Sequence, residues 1–514
     1  MVAGVALRCA AEGPAADDDT GAGGTTGGGG GSAGSAGKSA GGTSAAGSAG
    51  VGGGAGNAGT TAAGSSSGGS GGLGQSGASG APAAGTAGTA GGASGGSGGS
   101  GMTGCTITAT SSVSSKIATV GIVEWSANLT ALESASIEFG LDTNYGMTAP
   151  VDLGEPNYRT LLLGMKSDKT YHFRVVAMSG GQRCTSPDYT LMTGFLPNGL
   201  AKPTVSTPGA PDKLYGGYMI TARWGMNNQG PAMILDKDGD IVWYFPVEDD
   251  VIRARLSYDG KRMWIRNTAQ TDGQGWVRRV TLDGLTEEKW DLPHTTHDLA
   301  VLPDGNVGLI EHTEGNGCWG VAEFNPTTEE LKSLFNLEEA HGQQRCQVNY
   351  LAYHAGDNSF VVSDYAQSTV VKINRAGDLV WVLNGTPSDF TGTSWSGQHG
   401  VHILAPEHLL VFSNGAMGAG SRSIVYELML NTTSMAAEEI WSYDADITTP
   451  FGGDVQRLAN GNTIITYSSS GVIQELDPVG NLLQEFEYSV GSTFSYMEKR
   501  LSLYDSPPPK IHGL

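Results

Sequence analysis

Asp236–Phe245 reads DKDGDIVWYF: an acidic residue, a turn containing glycine, then an apolar run. The same order recurs as Asp283–Leu292 (DGLTEEKWDL), Asn325–Phe335 (NPTTEELKSLF), Asn374–Leu383 (NRAGDLVWVL), Asn431–Tyr443 (NTTSMAAEEIWSY) and Asp477–Phe486 (DPVGNLLQEF). Six copies at spacings of about 42 to 57 residues are one supersecondary unit repeated, and that length holds about four strands. A second element accompanies it, an apolar residue followed by a turn and another apolar run, in Leu302–Ile310 (LPDGNVGLI), Leu458–Ile465 (LANGNTII) and Ser257–Ile265 (SYDGKRMWI). It reads as a strand pair joined by a type I′ or similar hairpin turn. The all-β chain is therefore expected to form a six-bladed β-propeller over residues 200–514. Two further sandwiches, the alternative all-β solution, would carry no such period.

Working outward, residues 105–198 show short alternating apolar runs, such as Ala118–Trp125 (ATVGIVEW), Ser136–Phe139 (SIEF) and Tyr171–Met178 (YHFRVVAM). Period-two alternation bounded by turn residues predicts a small β-sandwich. Leu162, Gly164 and Tyr171, in LLLGMKSDKTYHFRV, resemble the corner of a fibronectin type III domain, in which a tyrosine hydroxyl ties a strand start back to the preceding loop. That resemblance implies a spacer without chemistry of its own. Residues 21–104 are Gly, Ser, Ala and Thr with Lys38 as their only charge. A segment with so little to bury is expected to be a disordered tether, with an r.m.s. span on the order of 50 Å.

The formal net charge of -22 argues against a polyanionic partner, because phosphate backbones are held by clustered Lys and Arg. Nucleic acid is excluded on that ground. The five cysteines divide suggestively. Cys105 and Cys184 bracket the sandwich, Cys318 and Cys346 lie in the propeller region, and Cys9 stands alone before the tether. Two disulfides and one lipidated cysteine account for all five, and buried free thiols in a cytosolic protein are the alternative. Residues 1–20 are read as the remnant of a lipoprotein signal and anchor, although MVAGVALRC lacks a basic leader and has Arg8 beside the cysteine. An exported protein is expected, either periplasmic, outer-membrane-anchored through Cys9, or extracellular. Oligomeric state is not legible.

Aligned without gaps on the inner hairpins, His297 lies five residues before Leu302 and His399 five residues before Leu404. They fall in the third and fifth blades, and the equivalent places elsewhere hold Ile252 and Gly453. The repeat itself does not require histidine there, so the pair is a candidate for chemistry. His294 and His402 lie three residues away from these, which makes a four-histidine metal site conceivable. No carboxylate or cysteine spacing supports it, and no metal is expected. His312, His341, His354 and His408 are read as surface residues.

His297–Ile310 (HDLAVLPDGNVGLI), Val361–Asn374 (VVSDYAQSTVVKIN) and above all Trp381–Gly415 (WVLNGTPSDFTGTSWSGQHGVHILAPEHLLVFSNG) resemble the bacterial arylsulfotransferases. The GxxSDF, QH and FxNG elements in fixed order are the specific part. The resemblance implies a β-sandwich followed by a six-bladed propeller. It also implies transfer of a sulfuryl group from a phenolic sulfate ester to another phenol through a sulfohistidine, without a nucleotide sulfate donor or other cofactor. By that likeness His399 matches the nucleophile. His297 is expected to serve the leaving and accepting phenol oxygens as acid and base, a role suited to a pKa near neutrality.

The chain departs from the family in the fourth blade, where an HxNS histidine and an SSR arginine are replaced by Gln347 in QVNY and Tyr365 in SDY. Gln347 can donate a hydrogen bond but carries no charge, and Tyr365 offers a hydroxyl and a ring but no cation. Arg422, in SRSIVYEL, resembles another family arginine and is the candidate replacement; Gln347, Tyr365 and Arg422 are thus the candidate substrate-binding residues. Small phenols and aryl sulfates are the expected partners. A propeller that binds an aromatic or sulfated ligand without turnover, and a surface adhesion or scaffold module, are the alternatives.

Overall fold

The repeat signature is explained by its turns. In a computed structural model describing residues 104–505, except 225–229, 269–273, 313–317, 343–345, 417–420 and 489–492, the Asp236 carboxylate accepts the backbone N–H groups of Asp238 and Asp240, each at 2.9 Å. Gly239 closes the turn with φ +78°. Asp477 binds Val479 and Asn481 in the same way at 3.1 and 2.9 Å, and Asn374 binds Asp378 at 2.8 Å. An Asp or Asn oxygen that satisfies turn amides, followed by a residue able to adopt left-handed backbone, is what the recurring pattern encodes. Where glycine is missing, Glu329 and Met435 take the positive φ instead, at 59° and 51°.

The expected tether and Cys9 lie outside the described residues. Beyond them come two β-rich parts. In the first, Ile107–Val113, Gly121–Ala127 and Thr160–Leu162 form one sheet. Met147–Pro150, Ser134–Gly140, Thr170–Ser179 and Gln182–Thr185 form the other, with Tyr189–Met192 also paired to Thr170–Ser179. Trp125, Ile137, Phe139 and Phe173 fill the space between them, and Cys105–Cys184 is a disulfide. Tyr171 Oη accepts the Lys166 N–H at 2.8 Å, as the corner motif predicted.

Six antiparallel sheets then follow one another along the chain, and the architecture is all-β and propeller-like. The second sheet is Val251–Leu256, Arg262–Asn267, Trp276–Thr281 and Glu287–Asp291; the third is Thr295–Val301, Val307–Glu311, Gly320–Asn325 and Glu330–Asn336. The fourth is Val348–His354, Ser359–Asp364, Thr369–Asn374 and Leu379–Leu383. The fifth is Gln398–Ala405, His408–Ser413, Ile424–Asn431 and Ala436–Asp444. The first sheet holds Tyr218–Trp224, Ala232–Asp236 and Ile241–Phe245, and its inner edge is supplied by Thr493–Phe494 and Glu498–Arg500 from the far end of the chain. The sixth, Asp454–Arg457, Thr463–Tyr467, Val472–Leu476 and Leu482–Glu487, gains Thr204–Ser206 on its outer edge. Gln456 of the sixth sheet exchanges hydrogen bonds with the Lys499 backbone of the first, at 3.0 and 2.7 Å, so the last sheet returns to the first.

The inner hairpins differ in type from the expectation. Leu302 N–H bonds Asn306 O, Gly305 N–H bonds Leu302 O, and of the turn residues only Gly305 has positive φ (+88°). A type I′ turn needs two left-handed residues; one left-handed glycine after a type I turn is the bulged alternative.

The sandwich is also more than a spacer. Ile117, Val120 and Leu163 share one apolar cluster with the first sheet, Thr119 Oγ1 donates to Val242 O at 2.8 Å, and Tyr504 Oη bridges Leu163 N and Leu161 O at 2.8 and 3.0 Å. Lys166 reaches Asp236, Asp238 and Asp240 at 3.0, 2.9 and 2.8 Å, which raises its pKa and neutralises the first repeat turn.

Where the inner strands converge, Arg253 is fully buried. Its guanidinium grips Asp298 through Nε and Nη2 at 2.6 and 2.9 Å and Asp454 through Nη1 at 3.0 Å. Its face lies against Tyr350 and Tyr496, 5.0 and 4.4 Å from the ring centres. Replacing Arg253 with Met leaves two buried carboxylates without a counter-charge, and such a loss typically costs about 3–5 kcal/mol. Urea unfolding of R253M, compared with the parent chain, is expected to report a destabilisation of that size.

Candidate active site

The same irregularity recurs near the start of four inner strands. Pairing slips between Val251 and Arg253, Thr296 and Leu299, Val348 and Tyr350, and Gln398 and Val401. A bulge leaves residues out of the ladder and re-aims their side chains. The residues released are Ile252 in the second sheet, His297 with Asp298 in the third, Asn349 in the fourth and His399 with Gly400 in the fifth. His297 adopts φ 51°, a conformation that costs a non-glycine residue on the order of 1 kcal/mol and persists because the flanking strand is fixed.

His399 is buried and its protonation is set by Asn414. The Asn414 amide nitrogen donates to the carbonyls of Thr449 and Gly452, both at 2.7 Å, so its oxygen must face the imidazole. That oxygen lies 2.6 Å from His399 Nδ1 and can only accept, which puts the ring proton on Nδ1 and the lone pair on Nε2. Nε2 accepts the Gly452 N–H at 3.1 Å. Burial dominates the electrostatics and pushes the His399 pKa down to about 3, the bond to Asn414 opposing it and the neighbouring His297 adding to it. His399 is therefore a neutral imidazole at physiological pH.

The peptide before it is equally fixed. Gln398 is buried, its amide donating to Ser363 Oγ, Asp364 O and Thr369 O at 3.1, 2.9 and 2.8 Å while accepting from Trp395 Nε1 at 2.9 Å. The QH element thus pairs an anchor to the fourth sheet with a buried, oriented imidazole. In GxxSDF, Asp389 exchanges hydrogen bonds with Val382, and Phe390 packs edge-on against Trp381 at 5.9 Å; both serve the scaffold.

His297 Nδ1 meets Thr296 Oγ1 at 2.8 Å, and its ring lies 5.3 Å from Trp319. Burial, then the charge of Arg266, push its pKa down to about 4, with Asp298 opposing. That departs from the near-neutral value expected of an acid and base. A charge on His297 would lower the His399 pKa further.

Tyr365 stands edge-on to His399 with ring centres 5.3 Å apart, and Tyr496 lies at 6.4 Å. Gln347 is half-buried and holds Tyr365 through a 3.0 Å bond from Tyr365 N–H to its carbonyl. Arg422 is not brought to this group: its side chain is 52% exposed and pairs with Asp444 and Asp446 at 2.9 and 3.1 Å. His402 is turned between the fifth and sixth sheets, its Nδ1 accepting the Arg457 N–H at 2.9 Å. Among the described residues, the clusters of close-packed His, Cys and carboxylate donors do not unite His294, His297, His399 and His402.

His341, read from the sequence as a surface residue, is buried in the short helix Glu338–His341, with Nε2 3.1 Å from Asp364 beside the Cys318–Cys346 disulfide. His354 and His408 pair with Asp357 and Glu427, each at 2.8 Å, and the His312 ring lies tilted against Trp319 with centres 4.9 Å apart. Asn414 and Asn349 were the members sequence reasoning passed over. The asparagine of FSNG was the available signal for the first, and for the second it was the asparagine of QVNY, which stands where HxNS has its own.

His297, His399 and His402 all have folded pKa values, about 4, 3 and 3, below the ordinary value of 6.5. The unfolded chain therefore takes up protons that the folded chain refuses, and stability is full above about pH 6.5 and falls as pH drops toward these values. Thermal unfolding midpoints are expected to decline from pH 7.5 to pH 5. His402→Gln, which keeps an acceptor for Arg457 N–H but does not titrate, is expected to flatten that slope.

Among solved structures, a Bacteroides caccae protein of unknown function aligns at 17% identity over 55% of this chain and 98% of its own, with a TM-score of 0.40. The β-propeller domain of Swd1 from Myceliophteria thermophila aligns at 10% identity over 55% and 89%, with a TM-score of 0.37. The WD40 β-propeller domain of Doa1 aligns at 12% over 54% and 89%, with a TM-score of 0.35. No curated protein matches the chain. Residues 321–489 match the family model described as arylsulfotransferase (ASST). That segment carries His399, Asn414, Gln347 and Tyr365, and its match supports an arylsulfotransferase-like family for this part of the chain.

Proposed function

We propose that the protein transfers a sulfuryl group from a phenolic sulfate ester to a phenol through a sulfonated His399. The observation that carries the reading is the Asn414 contact, which fixes a neutral imidazole with its lone pair on Nε2. In the first half-reaction, Nε2 displaces Gly452 N–H and forms a bond to sulfur while the bond from sulfur to the aryl oxygen breaks, releasing a phenolate. In the second, the acceptor phenol loses its proton, its oxygen bonds to sulfur, and the N–S bond breaks to restore His399. His297, neutral in the free protein, offers an N–H to the departing oxygen, and the bound ester anion draws its pKa back upward so that it relays the proton between the two phenols. Tyr365 and Gln347 line the aromatic side of the substrate. Arg422, committed to its two carboxylates, is left out of the set.

The domain reading that accompanies this is a fibronectin type III-like sandwich over residues 105–198 and a closed six-bladed propeller over 200–514. Two disulfides suit an exported protein, and among the described residues no helix is long and apolar enough to cross a membrane. A lipid anchor at Cys9 belongs to the same proposal.

A second reading, binding of a sulfated aromatic ligand without turnover, is favoured by one observation: the nucleophilic lone pair is already engaged by Gly452 N–H. Incubation with 4-nitrophenyl sulfate and phenol separates the two. Turnover is expected to release nitrophenol and to leave a mass increment of one sulfuryl group on His399; absence of both would leave only binding. His399→Asn is expected to abolish turnover. Asn414→Leu, which releases the tautomer, is expected to lower kcat roughly 10²–10⁴-fold, by analogy with loss of the orienting member of a catalytic triad.

A further inference from the structure

Among the described residues, five arginines are buried: Arg253, Arg266, Arg278, Arg457 and Arg500. Four are ion-paired, with Asp298 and Asp454, with Glu248 and Glu287, with Glu427, and with Glu498. Arg266 is the exception. Its Nη1 donates to Asn267 Oδ1 and Trp276 O at 2.8 and 2.6 Å, whereas Nε and Nη2 are buried and have no hydrogen-bond partner. The nearest influence of opposite sign is Asp298, whose two oxygens are already held by Arg253.

The guanidinium lies beside Gly275. A side chain there would put its Cβ 2.2 and 2.4 Å from the carbonyls of Leu292 and Thr295 and 3.1 Å from Arg266 Nη2. The missing side chain lets the second sheet's arginine approach the segment that leads, two residues later, into His297. After burial, Arg266 is the strongest influence on the His297 pKa. A buried charge without a partner is expensive, and a guanidinium whose Nε and Nη2 are both free is matched in shape and charge by two oxygens of one anion.

We propose that Arg266 forms an oxyanion subsite beside His297, and that it binds the non-bridging oxygens of the aryl sulfate whose sulfur His399 attacks. This rests on the sulfuryl-transfer reading above and supplies the cation that Tyr365 cannot. The shared ligand chemistry is a tetrahedral oxyanion. Inorganic sulfate, inorganic phosphate and 4-nitrophenyl sulfate are the probes that distinguish its sources.

The test uses the full chain. Sulfate is expected to raise the thermal midpoint of the parent protein in a saturable way and to compete with 4-nitrophenyl sulfate. In Arg266→Met that protection is expected to vanish and kcat/KM to fall roughly 100-fold, the usual loss for one oxyanion donor. Arg266→Lys, which keeps the charge but not the fork, is expected to restore part of both. Without added anion, R266M is expected to be at least as stable as the parent, since it removes a buried unpaired charge; a structural role predicts the reverse. Sulfate protection unchanged in R266M, or turnover unchanged in it, would overturn the subsite and leave the sulfuryl-transfer reading intact. Should R266M not fold, the same measurements on R266K decide: parent-like sulfate affinity and kcat/KM overturn the proposal. Arg266-dependent sulfate binding with no turnover in the parent would sink the transfer reading while the subsite stands. Preference for phosphate over both sulfates would assign the subsite to phosphate esters and overturn its role in sulfate recognition.

Discussion

One guanidinium holds the middle of this protein together. Arg253 comes from the second sheet, Asp298 from the third and Asp454 from the sixth, and the two carboxylates also accept the backbone N–H groups of Leu351 in the fourth and Met497 beside the first. Four sheets and the segment beside the first thus meet at three side chains. Sheets packed only by apolar faces can slide along one another; a bidentate ion pair in a dry interior has one geometry. Asp298 follows His297 in sequence, and Gly400, which follows His399, bonds through its N–H to the carbonyl of Gly453 beside Asp454. The catalytic candidates therefore inherit the rigidity of the ionic centre, each displaced from it by one residue of a bulge.

The chemistry of the site is mainly that of exclusion. Both imidazoles are kept neutral chiefly by loss of water, with the Arg266 charge adding to the effect at His297, and an asparagine, unable to take the proton, fixes which nitrogen of His399 carries it. A carboxylate in the place of Asn414 would favour imidazolium, whose nitrogens have no lone pair to offer sulfur. Tyr365 and Tyr496 lie 5.3 and 6.4 Å from His399 and Trp319 lies 5.3 Å from His297, and none of the three supplies a cation.

What the sequence disclosed and what it concealed divide by range. The six turns were legible because an Asp or Asn oxygen, one or two turn amides and a left-handed residue lie within five positions. His297 and His399 were legible because the inner hairpins could be counted without gaps. Asn349 was passed over because attention in QVNY went to Gln347, which stands where the family has histidine, although the asparagine of the element matches. Arg422 looked like a substrate ligand until Asp444 and Asp446 were seen beside it. Arg266 gave no signal at all, because its distinction is a partner it lacks in space. His341 was placed on the surface by its position between strands, where a single helical turn instead folds it under Asp364.

The two chain termini of the repeat region are stitched in at opposite edges, Thr204–Ser206 outside the sixth sheet and Glu498–Arg500 inside the first. During synthesis this imposes an order. Tyr218–Trp224 emerges early yet has an open inner edge until residues 493–500 follow, so nearly the whole repeat must be made before its first sheet is complete. Partly synthesised chains carry an unpaired strand edge, the feature through which nascent β proteins associate wrongly with one another. A first sheet that must wait for residues 493–500 is slow to commit.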